Sequence, residues 1–163
     1  MTRIPKFGPA AVAVLLLLPS LCFAAQCKVI GVLSGDTIQA SGPKGKFIVR
    51  LVGIDAPEKG QPYSDKARTY LADLILRKTV FIFNHGKDPE HRLLGEIFLK
   101  GKSINIEMIH AGLAEVYVEV PPKKLDLIQY LVVEKEAKDA KRGIWALGEQ
   151  YVSPILWRMQ KRE

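Results

Sequence analysis

The stretch VRLVGIDAPE, Val49 to Glu58, begins as a strand and leaves it on two carboxylates. Arg50 stands among alternating apolar residues, and Asp55 and Glu58 flank Ala56 and Pro57 at the exit. On a continuous strand Ile48, Arg50, Val52 and Ile54 share one face, so the guanidinium either snorkels off an apolar surface or enters a prepared polar site. Gly35-Asp36-Thr37 supplies a further carboxylate at a strand–turn junction. Asp36 and Asp55 are a hairpin's length apart, so the two can lie side by side. Adjacent carboxylates repel unless a cation is between them, and hard oxygen ligands of this kind suit Ca²⁺ or Mg²⁺.

The neighbouring segments supply a framework for that stretch. Cys27 to Leu33 and Thr37 to Ala40 read as strands joined by a turn at Ser34-Gly35-Asp36. After Gly42-Pro43-Lys44-Gly45, a third strand runs from Lys46 to Ile54, which completes a meander. From Tyr63 the period changes: Ala67, Tyr70, Leu71, Leu74 and Ile75 make one helical stripe, with Ser64 as the expected N-cap. Thr79 to Phe83 and Leu93 to Leu99 are two more strands, separated by a polar loop at Asn84 to Arg92. A short helix is predicted from about Ser103 to Ala111 and a long one from about Lys123 to Arg142. On the latter Val133, Ala137, Ala140 and Ile144 form the inner line, and Glu134–Lys138 and Lys135–Asp139 are exposed ion pairs. The class is α+β. Five short strands with about three helices suggest a small closed barrel, of which the five-stranded oligonucleotide/oligosaccharide-binding (OB) barrel is one form, with the domain over 26–148; periodicity alone supports only α+β. The tail, 149–163, is expected to add a short helix with Ser153 as N-cap and Pro154 at its first position, packing Ile155, Leu156 and Met159.

Residues 1–25 have the form of a signal peptide: Arg3 and Lys6, an apolar run from Ala10 to Leu18, then small residues to Ala25. The run is too short for a membrane span of about 20 residues, so the mature protein is expected to be secreted or periplasmic, free of the membrane and monomeric. Cys27 would then be the only thiol, which excludes an intramolecular disulfide. Net charge is +7 and falls to +5 when Arg3 and Lys6 leave with the leader, because no acidic residue precedes Asp36. That balance points to a polyanionic partner.

Taken together, Ser34-Gly35-Asp36-Thr37, Arg50 through Glu58, Asp88 with Arg92, Gly112-Leu113-Ala114, and Ala140-Lys141-Arg142-Gly143-Ile144-Trp145 resemble the staphylococcal nuclease-like (thermonuclease) family, over about Lys28 to Trp145. The resemblance implies an OB-fold barrel and a Ca²⁺-dependent endonuclease that cleaves DNA and RNA, leaving 3′-phosphate and 5′-hydroxyl ends. It implies that Arg50, Glu58 and Arg92 are catalytic, and that Asp36, Asp55 and the backbone carbonyl of Ala56 hold the ion. Two guanidinium groups and a divalent cation would offset the charge that builds on the phosphoryl oxygens under attack by water, and a carboxylate such as Glu58 would orient or deprotonate that water. Tyr117 could stack on a base, and Lys59, Lys123 and Lys124 could track the phosphates. The chain departs from the family where Glu90-His91-Arg92 replaces the usual Tyr-Gly-Arg. A module of the same fold that binds nucleic acid or another polyanion without cutting it is the alternative.

Overall fold

The computed structural model describes residues 25–117 and 125–161, so residues 1–24 of the leader, Lys123 and Lys124 lie outside the described residues. The expected meander forms from β1 (Ala25–Val32), β2 (Thr37–Gly42) and β3 (Gly45–Leu51). After a two-residue strand β4 (Ile54–Asp55) and helix α1 (Ser64–Ile75) come β5 (Thr79–Lys87) and β6 (Leu93–Leu99). Five strands run in the order β3-β2-β1-β5-β6, and a parallel pairing of β3 with β6, Val49 opposite Leu93 and Arg50 opposite Leu94, closes them into a barrel. The barrel edge strands cover each other, which removes the open edge a small sheet would expose. Val29, Ile38, Val49, Leu51, Val80 and Ile97 are fully buried inside it.

The remaining elements cap and flank the barrel. β7 (Lys102–Ser103) turns back to pair antiparallel with β6, and α2 (Ile104–His110) follows with Ser103 as its N-cap, its Oγ accepting from Ile106 N–H. β8 (Glu115–Val116) pairs antiparallel with β4. Then come α3 (Leu127–Asp139), a 3-10 helix (Gly143–Gln150) and α4 (Pro154–Gln160). Four α-helices and one 3-10 helix among the described residues exceed the three expected. None is long and apolar enough to cross a membrane. Ile144 N–H donates to Gly112 O at 2.8 Å where the two segments cross, and both Gly112 and Gly143 have positive φ there. A Cβ on either would collide with the other segment's backbone, which accounts for the glycines of the Gly-Leu-Ala and Arg-Gly-Ile-Trp motifs.

Several local expectations are corrected. The third strand does not run through to Ile54 but stops at Leu51. Val52 N–H is taken by Gly95 O, and Gly53, at φ 79°, turns the chain toward β8. Only glycine fits this turn, because a Cβ would lie 2.7 Å from Leu125 Cδ2 and 2.8 Å from Tyr130 Cε2. Ser64 is not the N-cap of α1; Tyr63 takes that position with φ 69° and no side-chain cap, and Ser64 N–H donates to Gln61 O. β5 runs on to Lys87, shortening the polar loop. α3 starts later than expected, at Leu127, capped by Asp126. Both predicted ion pairs on α3 form, at 2.7 and 2.6 Å, but Glu134 is buried because it also accepts Val116 N–H. Ala140 is exposed, and Tyr130 rather than Ala140 packs into the core. The tail helix has the predicted Ser153 cap, yet Leu156 and Met159 face solvent.

Candidate active site

The β2–β3 register places Thr37 opposite Arg50, so the Asp36 bend lies beside the guanidinium. Arg50 Nη1 meets Asp36 Oδ2 at 3.1 Å and Nη2 meets Asp55 Oδ1 at 2.8 Å. The Arg50 guanidinium thus lies between the two aspartates, where Ca²⁺ or Mg²⁺ is expected from the sequence. Asp36 and Asp55 are both buried, and a buried carboxylate requires donors. Asp36 Oδ1 accepts from Ser34 Oγ (2.7 Å) and Thr37 Oγ1 (2.9 Å), and its Oδ2 from Ala56 N–H (3.1 Å). Burial opposes the charge on Arg50, but Asp36 and Asp55 more than offset it and its pKa is raised.

A second arginine, from the far end of the chain, completes the cluster. Arg158 on α4 forks onto Asp55, Nη2 to Oδ2 at 2.7 Å and Nη1 to Oδ1 at 3.1 Å, and Nη1 also reaches Glu58 Oε1 at 2.5 Å. Hydrogen bonding to Asp55 raises its pKa further, so the group is a fixed cation. The cluster thus joins Arg50, Asp36, Asp55, Glu58 and Arg158, three carboxylates against two guanidinium groups.

Residues 48–147 match the family model described as Staphylococcal nuclease homologue. The chain belongs to the staphylococcal nuclease family. It is accordingly a nuclease, a hydrolase whose substrate is nucleic acid. It is 33% identical over 137 residues to an uncharacterized endonuclease of Haemophilus influenzae, covering 83% of this chain and 74% of that protein. To an uncharacterized endonuclease of Escherichia coli O157:H7 it is 34% identical over 144 residues, 88% and 91% of the two chains. It is also 33% identical over 117 residues to the staphylococcal-like nuclease CAN1 of Arabidopsis thaliana, spanning 72% of this chain and 35% of that longer protein.

Within this staphylococcal nuclease-family barrel, Arg92 immediately precedes β6, whose first residues pair with β3 at Val49 and Arg50. Its backbone is thus near the cluster, but its guanidinium pairs with Asp88 (Nε–Oδ2, 2.6 Å) and Glu90 (Nη2–Oε2, 2.8 Å). Asp88 is partly desolvated, which raises its pKa, but the bonds to Arg92 outweigh this and lower it overall. His91 adopts φ 62°, the left-handed conformation a glycine would hold without strain. The sequence departure at Glu90-His91 thus has two structural effects: a carboxylate that engages Arg92 and a strained residue beside it.

The other predicted contacts are placed less closely. Tyr117 is half-buried and its N–H donates to Gly53 O, beside the turn that leads to Asp55. Lys59 is exposed and lines, with Ser34, Pro57 and Arg68, a cleft of about 430 Å³ next to Glu58. Sequence reasoning missed Arg158, Glu115 and Asn105. Arg158 carried no motif of its own, since it lies outside the family match and 103 positions from Asp55. Glu115 accepts from Tyr151 Oη and its backbone pairs with Asp55; burial leads in raising its pKa, with Asp55 and Glu134 adding to the effect against the Tyr151 bond. Asn105 spans Ile97 N–H (3.0 Å), Val52 O (2.9 Å) and Gly95 O (3.3 Å).

Among the described residues no group of three or more His, Cys, Asp or Glu side chains is arranged for a metal ion. The donor chemistry nevertheless fits Ca²⁺, which takes about six to eight oxygens, many from carbonyls and water. Asp36 and Asp55 converge on one cation already, and the Ala56 loop is bonded to Asp36. Any ion there shares Asp36 and Asp55 with Arg50, and Asp55 with Arg158 as well.

Proposed function

We propose that this protein is an exported, Ca²⁺-dependent endonuclease that hydrolyses DNA and RNA with little sequence preference, leaving 3′-phosphate and 5′-hydroxyl ends. The observation that carries the reading is the sharing of Arg50 between buried Asp36 and Asp55, with Glu58 joined to the same cluster, in a chain of nuclease class. Asp36, Asp55 and the Ala56 carbonyl would hold Ca²⁺, which when bound polarises a phosphoryl oxygen. Arg50 presents a planar fork to the phosphate and is kept charged by its aspartates. Glu58 orients the attacking water and takes its proton, and the 5′ oxygen departs with a proton from solvent. Arg92 meets the transition-state charge after exchanging Glu90 for phosphate, since Glu90 is an exposed partner. Tyr117, Lys59, Lys123 and Lys124 supply stacking and phosphate contacts without base readout.

The test is degradation of single-stranded DNA and of RNA by the purified full chain with added Ca²⁺, then with a calcium chelator. Cleavage that persists in chelator removes the metal from the reading. Product ends are read by whether a polynucleotide kinase labels the 5′ ends directly. Binding of either polymer without cutting would leave only the binding-module alternative. Export is supported by the leader-like composition of residues 1–25; N-terminal sequencing of the protein recovered from outside the cytoplasm, starting near residue 26, checks it, along with a monomer mass in solution.

A further inference from the structure

Three separate contacts bind residues 151–158 to the rim of the Arg50 cluster. Tyr151 Oη donates to Glu115, the register partner of Asp55. Gln61 Nε2 donates to Val152 O at 2.6 Å, and Gln61 Oε1 accepts Glu58 N–H at 2.9 Å. Arg158 forks onto Asp55 and Glu58. Glu58 is thus held by its main chain through Gln61 and by its carboxylate through Arg158, and both holds lead to a tail beyond residue 147, where the family match ends.

The Glu58 side chain is about a third exposed, and Arg158 is its only side-chain partner among the described residues. Without that guanidinium, its carboxylate faces the like charge of Asp55 and swings to solvent. A lysine would supply the charge but not the fork that fixes two carboxylates at once. We infer that Arg158 is a positioning residue for phosphodiester hydrolysis, holding the Glu58 carboxylate beside Asp55 in the orientation from which it acts on water. The inference rests on the nuclease reading above.

The experiment compares kcat and KM on single-stranded DNA for the full chain and its Arg158→Gln, Arg158→Lys, Glu58→Gln and Arg158→Gln/Glu58→Gln variants, with thermal unfolding of each. Arg158→Gln is expected to lower kcat about 10- to 100-fold with KM changed by less than about threefold, the pattern of an interaction that matters in the transition state. Arg158→Lys recovers part of the rate, and the double variant is no slower than Glu58→Gln, because Arg158 acts through Glu58. A faster Arg158→Gln variant would mean the tail blocks the site, and an additive double variant that Arg158 acts by itself; either overturns the inference. So does a raised KM at unchanged kcat, or a lowered unfolding temperature with kcat intact. A wild-type chain inactive on DNA and RNA instead defeats the nuclease reading itself, and the two failures are told apart by that one measurement.

Discussion

Glu58 and His91 show opposite uses of a single side chain. Glu58 is exposed enough to meet water and tethered enough to be aimed; replacing it with glutamine keeps its shape and removes its charge. Glu58→Gln is expected to lower kcat by about 100-fold, within the range for a lost general base, while DNA binding measured by fluorescence anisotropy changes little. Equal loss of both would assign Glu58 a binding role. His91 is held in a left-handed conformation that costs an L-residue about 1–2 kcal/mol. His91→Gly should therefore raise stability by about 1 kcal/mol, reduced by the extra freedom glycine gains in the unfolded chain; a urea midpoint that does not rise would show that the loop has already relaxed around histidine.

At the level of elements, the β3–β4 turn and the β5–β6 loop position the two ends of the site. Asn105 fastens the first, spending both ends of its amide on the backbones of Val52, Gly95 and Ile97 in a fully buried position. Asn105→Ala takes this partner from Val52 O and Ile97 N–H, while Gly95 O keeps Val52 N–H, and is expected to cost about 2–3 kcal/mol in urea denaturation. The second depends on Asp88, which accepts from the backbone of Glu90 and Arg92 as well as the guanidinium. Its folded pKa lies below its unfolded value of about 3.9. The sign follows: this stabilisation is fully present above about pH 4 and is lost as pH falls through the depressed folded value. Asp88→Asn should flatten stability over that acid window and leave the slope near neutrality unchanged, which unfolding curves at a series of pH values will show.

For the molecule as a whole, charge and closure set behaviour. A chain of net charge +7 with no base-reading motif should bind single-stranded DNA through phosphates. The logarithm of its binding constant should fall linearly with the logarithm of salt concentration, with slopes alike for unrelated sequences; a flat plot would remove Lys59 and its neighbours from the interface. The barrel itself brings Arg92's backbone alongside Arg50 through the parallel β3–β6 pairing, a contact between strands 44 residues apart in register. The tail then docks on Asp55, Glu58 and Gln61 from beyond the family match.

The sequence by itself determined the meander, the α1 stripe, the Ser153 cap, and the nearness of Asp36 to Asp55. These depend on short-range periodicity and a hairpin register, which local residue order encodes. Only the tertiary structure decided that Arg158 joins Asp55 and Glu58, why the third strand breaks at Val52, and that Glu134 is buried. Each of those turns on a partner far along the chain: Arg158 for Asp55, Asn105 for Val52, Val116 for Glu134. A side chain's neighbours across such distances are set by how the barrel closes and where the helices dock, and no local pattern carries that information.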